Sequence, residues 1–479
     1  MVNRTTRAIV AGAAIMAAAC EGKNPSTPPG PPPPSESGVD FRAIAAGIRP
    51  RGFGQGAYTL ATPTPGSVAY YVSPSGSDAN PGTAAAPFQT ISRAASVATA
   101  GDVVTIAQGT YAEDVVVMGS GTPTKPIIFQ AAQRGSVVLT GGRYSVRPST
   151  WTGQQQETEQ IYVTLRGLVF RRYAASVDAP LSGSELPAAV KAVRGWRVED
   201  CLFDDAGNTG ILIRGSHVAI VKSTIQGSFL MAIGAWSNSS AQRVGDAGYT
   251  PLDGIQLTDL ILRYNHSPAS RTNGEYSIKL MTTRGAVVDN MESYGNLGPG
   301  LWFDSQNSGY TVRNSYFHDN INLSGNDATG AGIFLEIGWE PGLIERNVFV
   351  NNAGPGLNVA NSAGVTVRQN LFDGNWSCVQ MVNVDRGKIS GGAPMFPLRD
   401  VTLVDNECKG WQGFSAVHAI GNLATPEVLD IRVDSNVYDP GSVRRLSWYD
   451  GLGEGATLAE MHKKFGWESA GSIGSISWP

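Results

Sequence analysis

The chain has 479 residues, of which 58 are Gly and only 16% are charged, with a formal net charge of −4. No basic run accompanies that balance, which argues against nucleic-acid binding through phosphate neutralisation. No apolar run reaches the ~18–20 residues that a membrane span needs.

Arg4 and Arg7 precede a short apolar run at 8–19, the layout of a secretory leader (1–20). Ala17, Ala18 and Ala19 lead to Cys20, which resembles a bacterial lipoprotein signal in which that Cys is lipidated; simple secretion is the alternative. Either makes the protein secreted or held at the cell envelope, touching a membrane only through the lipid. Residues 21–65 form a Pro-rich tether, PSTPPGPPPPSES, and a lead-in with no clear pattern.

From Tyr70 the text reads YYVSPSGSDANPGTAAAPFQTISRAASVATAGDVVTIAQGTY. A first strand at 70–73 precedes a loop, and Ile91, Ala94, Ala95 and Val97 then fall at helical spacing. That short helix is suited to plug an open sheet end. Asp78 and Asn80 read as turn-fixing side chains in preference to a calcium loop. The stretch resembles the N-terminal cap of right-handed parallel β-helix proteins, many of them polysaccharide lyases and glycoside hydrolases.

Short strands follow, interrupted at 143–160, 175–188 and 238–253 by segments suited to wall a groove. Between Gly300 and Asn375 one unit is written three times, each opening at Gly (Gly300, Gly332, Gly356) and closing at Asn (Asn320, Asn352, Asn375). The frame extends back to Asn296 and Asn265. Repeats of this length made of strands alone predict an all-β, single-stranded right-handed parallel β-helix over 66–440. A cap segment at 441–479 would include a helix opened by Thr457. Asn347, Asn370 and Asn406 share a second column and read as an inward ladder. Cys378 and Cys408 lie on neighbouring units where a bridge is feasible, but three small buried cysteines (with Cys201) is the preferred reading.

Aligning the units superposes SIKLM, GLWFD, GIFLE, GLNVA and CVQMVN. Alternation places Leu301, Phe303, Ile333, Leu335, Leu357 and Val359 inside. Lys279, Trp302, Phe334, Asn358 and Gln380 then share one outward column. Met281, Asp304, Glu336, Ala360 and Asn383 share the next. Asp304 and Glu336 thus stack on consecutive rungs, ~4.8 Å apart, close to the ~5–5.5 Å carboxyl separation of retaining glycosidases. With no basic residue between them in the column, one is expected to keep its proton. Trp302 and Phe334 would stand exposed beside them for sugar stacking. Lys279, Arg284, Asn358, Gln380 and His418 extend the wall as candidate substrate contacts, and Glu340 is an alternative acid.

At GLWFD, RNSYFHDN, FLEIGWEPG and ERNVFVNN the chain resembles β-helix glycoside hydrolases of the β-xylosidase-type family one hundred and twenty. That resemblance implies Asp304 as nucleophile and Glu336 as general acid/base, with no cofactor or metal. The leading expectation is a monomeric retaining hydrolase of a polysaccharide or oligosaccharide. The rivals are a lyase of uronate polymers, with Lys279 or Arg284 as base and Ca²⁺ on the acids, and a non-catalytic glycan-binding adhesin.

Overall fold

A computed structural model describes residues 51–479, except 142–145, 159, 173–186, 240–246, 268–276, 324–329, 339–340, 388–395, 414, 422, 425, 442–444 and 477–479. The leader, Cys20, the Pro-rich tether and Glu340 lie outside the described residues, as does most of 175–188. Strands and turns dominate the described residues, and no helix among them is long and apolar enough to cross a membrane.

The chain divides into two units, one of residues 48–273 with 277–292 and one containing residues 293–479. Each is right-handed parallel β-helix, in which successive turns of chain lay short strands on three parallel sheets. In the N-terminal unit, one sheet begins Ala69–Val72, Val103–Ile106, Ile127–Ala131, Val163–Arg166, each strand parallel to the next. The helix Ile91–Val97 precedes the second of these strands. Thr90 caps it by accepting from the Arg93 amide, and Ile91, Ala94 and Ala95 are buried beneath it. Asp78 accepts from the amides of Gln89 and Thr90, and Asn80 donates to the Pro87 carbonyl, so both fasten the loop before the helix.

The lead-in that showed no pattern has a definite path in residues 51–68. Arg51 bonds Asn290, the Gly52 amide the Asp259 carbonyl, the Phe53 amide Thr224 and the Gly54 amide Asp200. Further on, the Tyr58 hydroxyl donates to the Ala131 carbonyl, the Ala61 amide to Gln130 and the Val68 amide to Asp102. The partners descend steadily in number. The segment is therefore a strap laid across successive turns of the N-terminal unit, against the direction in which they wind.

In the C-terminal unit the corners follow one rule. A residue in the left-handed region precedes an inward Asn: Arg346, Gln369, Asp405 and Ser435 stand before Asn347, Asn370, Asn406 and Asn436. The turn sharpens there and brings each Asn amide over the next. Asn347 Nδ2 donates to Asn370, Asn370 to Asn406 and Asn406 to Asn436, at 3.0–3.1 Å. Asn296, Asn320, Asn352 and Asn375 form a second ladder of the same kind. Buried corner amides and carbonyls that no strand can pair are satisfied this way. Between the ladders Phe317, Phe349 and Phe372 stack in the core at 5.5 and 4.7 Å.

The first ladder ends on Glu468, whose carboxylate accepts from the Asn436 amide, Asn436 Nδ2 and the Tyr438 hydroxyl. Glu468 replaces the Asn that a further turn would have supplied. Sheet pairing continues past residue 440: Arg445–Tyr449 runs parallel to Ser415–Gly421, and Ser472–Ile473 to Val437–Asp439. The antiparallel strand Gly453–Gly455 then closes one sheet. The helix Leu458–Phe465 follows, with Thr457 and Glu460 forming a capping box and Gly466 ending it in the left-handed conformation.

Cys378 and Cys408 are joined in a disulfide, with Cα atoms 6.1 Å apart, which corrects the preferred reading of three free thiols. Stacking of adjacent turns brings the two Cα atoms within bridging range. Cys201 stays free and buried, its thiol pushed up to about 12 by burial.

Candidate active site

The sheet that carries the site in the C-terminal unit is built from Leu301–Asp304, Ile333–Glu336, Leu357–Ala360, Val379–Asn383, Ser415–Gly421 and Arg445–Tyr449. Leu301, Phe303, Ile333, Leu335, Leu357 and Val359 point into the core and are fully buried. Alternation sends their neighbours to the outer face. Trp302 pairs in register with Phe334, Phe334 with Asn358, Asn358 with Gln380, Gln380 with His418 and His418 with Trp448. Asp304 pairs directly with Glu336, and Glu336 with Ala360. Val382, not Asn383, stands next to Ala360. Two residues separate the outward positions, so Gln380 in one column requires Val382 in the other.

The outer face is not open. Phe334 is buried, and Trp302 is half-buried with its ring stacked on Phe334 at 5.2 Å. Ala360 and Val382 complete an apolar cluster, with Trp302, Val384 and Ile420 packed on it. The expectation of an exposed aromatic pair is thereby corrected. The cause is the chain that leaves the coil after Asn383. Asn361 donates to the carbonyls of Val384 and Phe396 and accepts from the Val384 amide, and the Leu398 amide returns to Asn383. The described parts of this excursion, 384–387 and 396–398, return to that face, with Val384 packed on the apolar cluster.

From it Arg386 reaches Glu336, Nη2 donating to Oε1. Both side chains are largely enclosed, 19% and 12% exposed. The absence of a base between the acids holds for the column itself, but the third side chain comes from outside the repeat. A guanidinium on a carboxylate favours its charged form. Asp304 is only 7% exposed; its Oδ1 accepts from Ser305 Oγ at 3.0 Å, and Asn307 Nδ2 holds its backbone carbonyl.

Asn358 stands one rung beyond Phe334, 1% exposed, and neither Oδ1 nor Nδ2 has a hydrogen-bond partner. Its neighbour Gln380 is also buried. His418 stacks on Trp376 at 5.5 Å, and burial pushes its pKa down to about 4 despite the opposing charge of Asp450, so it is neutral at pH 7. Lys279 and Arg284 belong to the N-terminal unit. Lys279 is half-buried opposite Gly234. Arg284 is committed to Asp253 through two bonds of 2.7 and 2.8 Å, an ion pair that occupies the fork expected to wait for substrate.

The molecule is thus a right-handed parallel β-helix protein with a stacked carboxylate pair on one sheet. Two family models match it: "Pel9A-like, right handed beta helix region" over residues 70–250 and "Right handed beta helix region" over 188–372. Among curated proteins, the uncharacterized protein YwoF of Bacillus subtilis (strain 168) is 48% identical over 71 residues, 15% of each chain. Pectate lyase PEL9 of Emericella nidulans is 40% identical over 73 residues, 15% of this chain and 18% of the other. The chain therefore spans less than a fifth of the length of the curated relatives it matches. A solved complex of XylC with xylose superposes with a TM-score of 0.57 at 15% identity, covering 79% of this chain and 85% of that one.

Proposed function

We propose that this protein is an exported carbohydrate-active enzyme that cleaves a glycosidic bond with retention of configuration. The observation that carries this reading is the in-register pairing of Asp304 with Glu336 on adjacent parallel strands. Strand spacing of ~4.8 Å sets two carboxylates at the separation that double displacement uses. Asp304 attacks the anomeric carbon. Glu336 gives a proton to the leaving oxygen, then takes one from the water that hydrolyses the glycosyl ester. Arg386 holds Glu336 charged in the state described, so the acid step needs this guanidinium to turn aside, and its return favours the base step. The orphan amide of Asn358 offers its NH2 group and carbonyl to sugar hydroxyls, and Trp302 lies two rungs away, across Phe334.

The test is a panel of aryl glycosides and polysaccharides read by reducing ends and product stereochemistry. Asp304→Asn and Glu336→Gln are each expected to lose at least about a thousandfold in kcat. Asp304→Asn, which removes one of two crowded acids, should melt at the same or a higher temperature, and Glu336→Gln at a lower one, because it leaves the enclosed Arg386 without its charged partner. Full activity in both variants rejects the reading.

A second reading, a polysaccharide lyase, draws support from the Pel9A-like match and the segment shared with pectate lyase PEL9. Calcium-assisted elimination needs grouped ligands, and among the described residues no three His, Cys, Asp or Glu side chains are placed to hold a metal ion. An unsaturated product absorbing in the ultraviolet would decide for elimination.

A further inference from the structure

The outer face of the N-terminal unit carries a separate feature, two buried cations, Lys191 and Arg214, on adjoining strands. Lys191 pairs in register with Leu212, Leu212 with Gly234 and Gly234 with Lys279. Lys191 is fully buried, its Nζ 4.7 Å from the centre of the Trp151 ring. In the next column Arg214 follows Ile213 and lies beside Trp236. Arg214 is 7% exposed. Nη1 donates to the Trp236 carbonyl and Nη2 to Asn238 Oδ1, while Nε has no partner. Among the described residues no carboxylate pairs with it, and burial alone pushes its pKa down to about 10. The nearby acid, Glu157, is engaged by Ser216 and Arg194.

Burying a guanidinium without a counter-charge is costly, and an orphaned N–H adds to the cost. A purely structural clamp on Trp236 and Asn238 needs no charge; Gln would serve it. The fork of Arg matches a planar anion once Nη1 and Nη2 leave the Trp236 carbonyl and Asn238, and Trp151 and Trp236 are half-buried indoles on which a pyranose ring can stack. We propose that Arg214, with Lys191 of the adjoining strand and Trp151 beside that lysine, forms an anion-recognition site in the N-terminal unit for an acidic saccharide, whose carboxylate or sulfate ester supplies the counter-charge that Arg214 lacks among the described residues.

The experiment is titration calorimetry of the full chain with oligogalacturonate, a sulfated oligosaccharide and a neutral xylo-oligosaccharide of equal length. Wild type is expected to bind at least one acidic ligand about tenfold or more tightly than the neutral one, and the two acidic arms separate carboxylate from sulfate. Arg214→Gln is expected to lose that preference, with Arg214→Lys intermediate because it keeps the charge and loses the fork. Should Arg214→Gln fail to fold, Lys191→Met in the intact chain carries the same expectation. Equal affinity for acidic and neutral ligands, no binding of either acid, or unchanged preference in the folded variants overturns the proposal. The double variant Asp304→Asn, Glu336→Gln should keep the preference, which separates this site from the proposed catalytic pair.

Discussion

Arg386 donates to Glu336 from fifty positions further along the chain, in an excursion that belongs to no repeat. This contact sets a cation on Glu336, while Asp304 Oδ1 accepts from the Ser305 hydroxyl. If Glu336 is the proton donor, removing the cation should make it a weaker acid. Arg386→Ala is therefore expected to move the basic limb of the kcat/KM profile to higher pH, by about one unit. An unmoved limb, with activity retained, would show that Arg386 does not act on the donor.

Asn358 offers a prediction in which stability and binding part. Its buried amide has no partner, so Asn358→Leu should leave stability unchanged or raise it by about 1 kcal/mol. The same change should weaken saccharide binding about tenfold, because two hydroxyl contacts go with it. Chemical denaturation and ligand titration read the two effects separately. A clear loss of stability would mean that the amide has a structural task.

His418 should make the fold sensitive to mild acid. Its folded pKa of about 4 lies below the ordinary value of 6.5, so between those values the unfolded chain binds the extra proton. Stability is then full above about pH 6.5 and is lost as pH falls towards 4, by ~3 kcal/mol at most. His418→Gln should flatten that part of the melting-temperature curve. A slope equal to wild type removes His418 as its source.

Glu468 bears on the end of the Asn ladder. Glu468→Ala leaves the Asn436 backbone amide and the Tyr438 hydroxyl without acceptors and takes one of the three acceptors of Asn436 Nδ2, which keeps the Leu403 and Asp434 carbonyls, at a cost of about 2–4 kcal/mol. Burial raises the Glu468 pKa. Its protonated form is thus favoured on folding, and stability should decline slightly as pH rises above the ordinary carboxylate value of 4.5. Denaturant titration of the variant across pH checks both effects, and a variant as stable as wild type would show that the ladder needs no terminator.

The coil was legible because its determinants are local and repeated. Gly at strand starts, Asn at corners and two-residue alternation fix which face each side chain takes. They place Asp304 beside Glu336 and Asn370 beneath Asn406 without knowledge of the rest. Thr457 and the 91–97 helix were legible for the same reason. The cover was not. Residues 384–387 and 396–398 read as an unremarkable Gly- and Pro-containing connection, and only their bonds to Asn361 and Asn383 bring them back over Phe334. Arg386 and the burial of the aromatic pair follow from that return. The path of residues 51–68 likewise depends on which turns become neighbours, information spread over hundreds of positions, whereas the Cys378–Cys408 bridge was legible as feasible from the repeat and was merely not the preferred reading.

The strap has a bearing on how the protein is made. Arg51 meets Asn290, 239 residues later in the chain, so during synthesis this end of the strap has no partner until that much more polypeptide has emerged and wound, although the other end, at Val68, meets Asp102 only 34 residues on. The coil must nucleate within itself, and the strap docks as a late, closing step. Like a buckle fastened after the garment is on, it should limit how readily the finished turns peel apart and contribute little to how fast they first assemble.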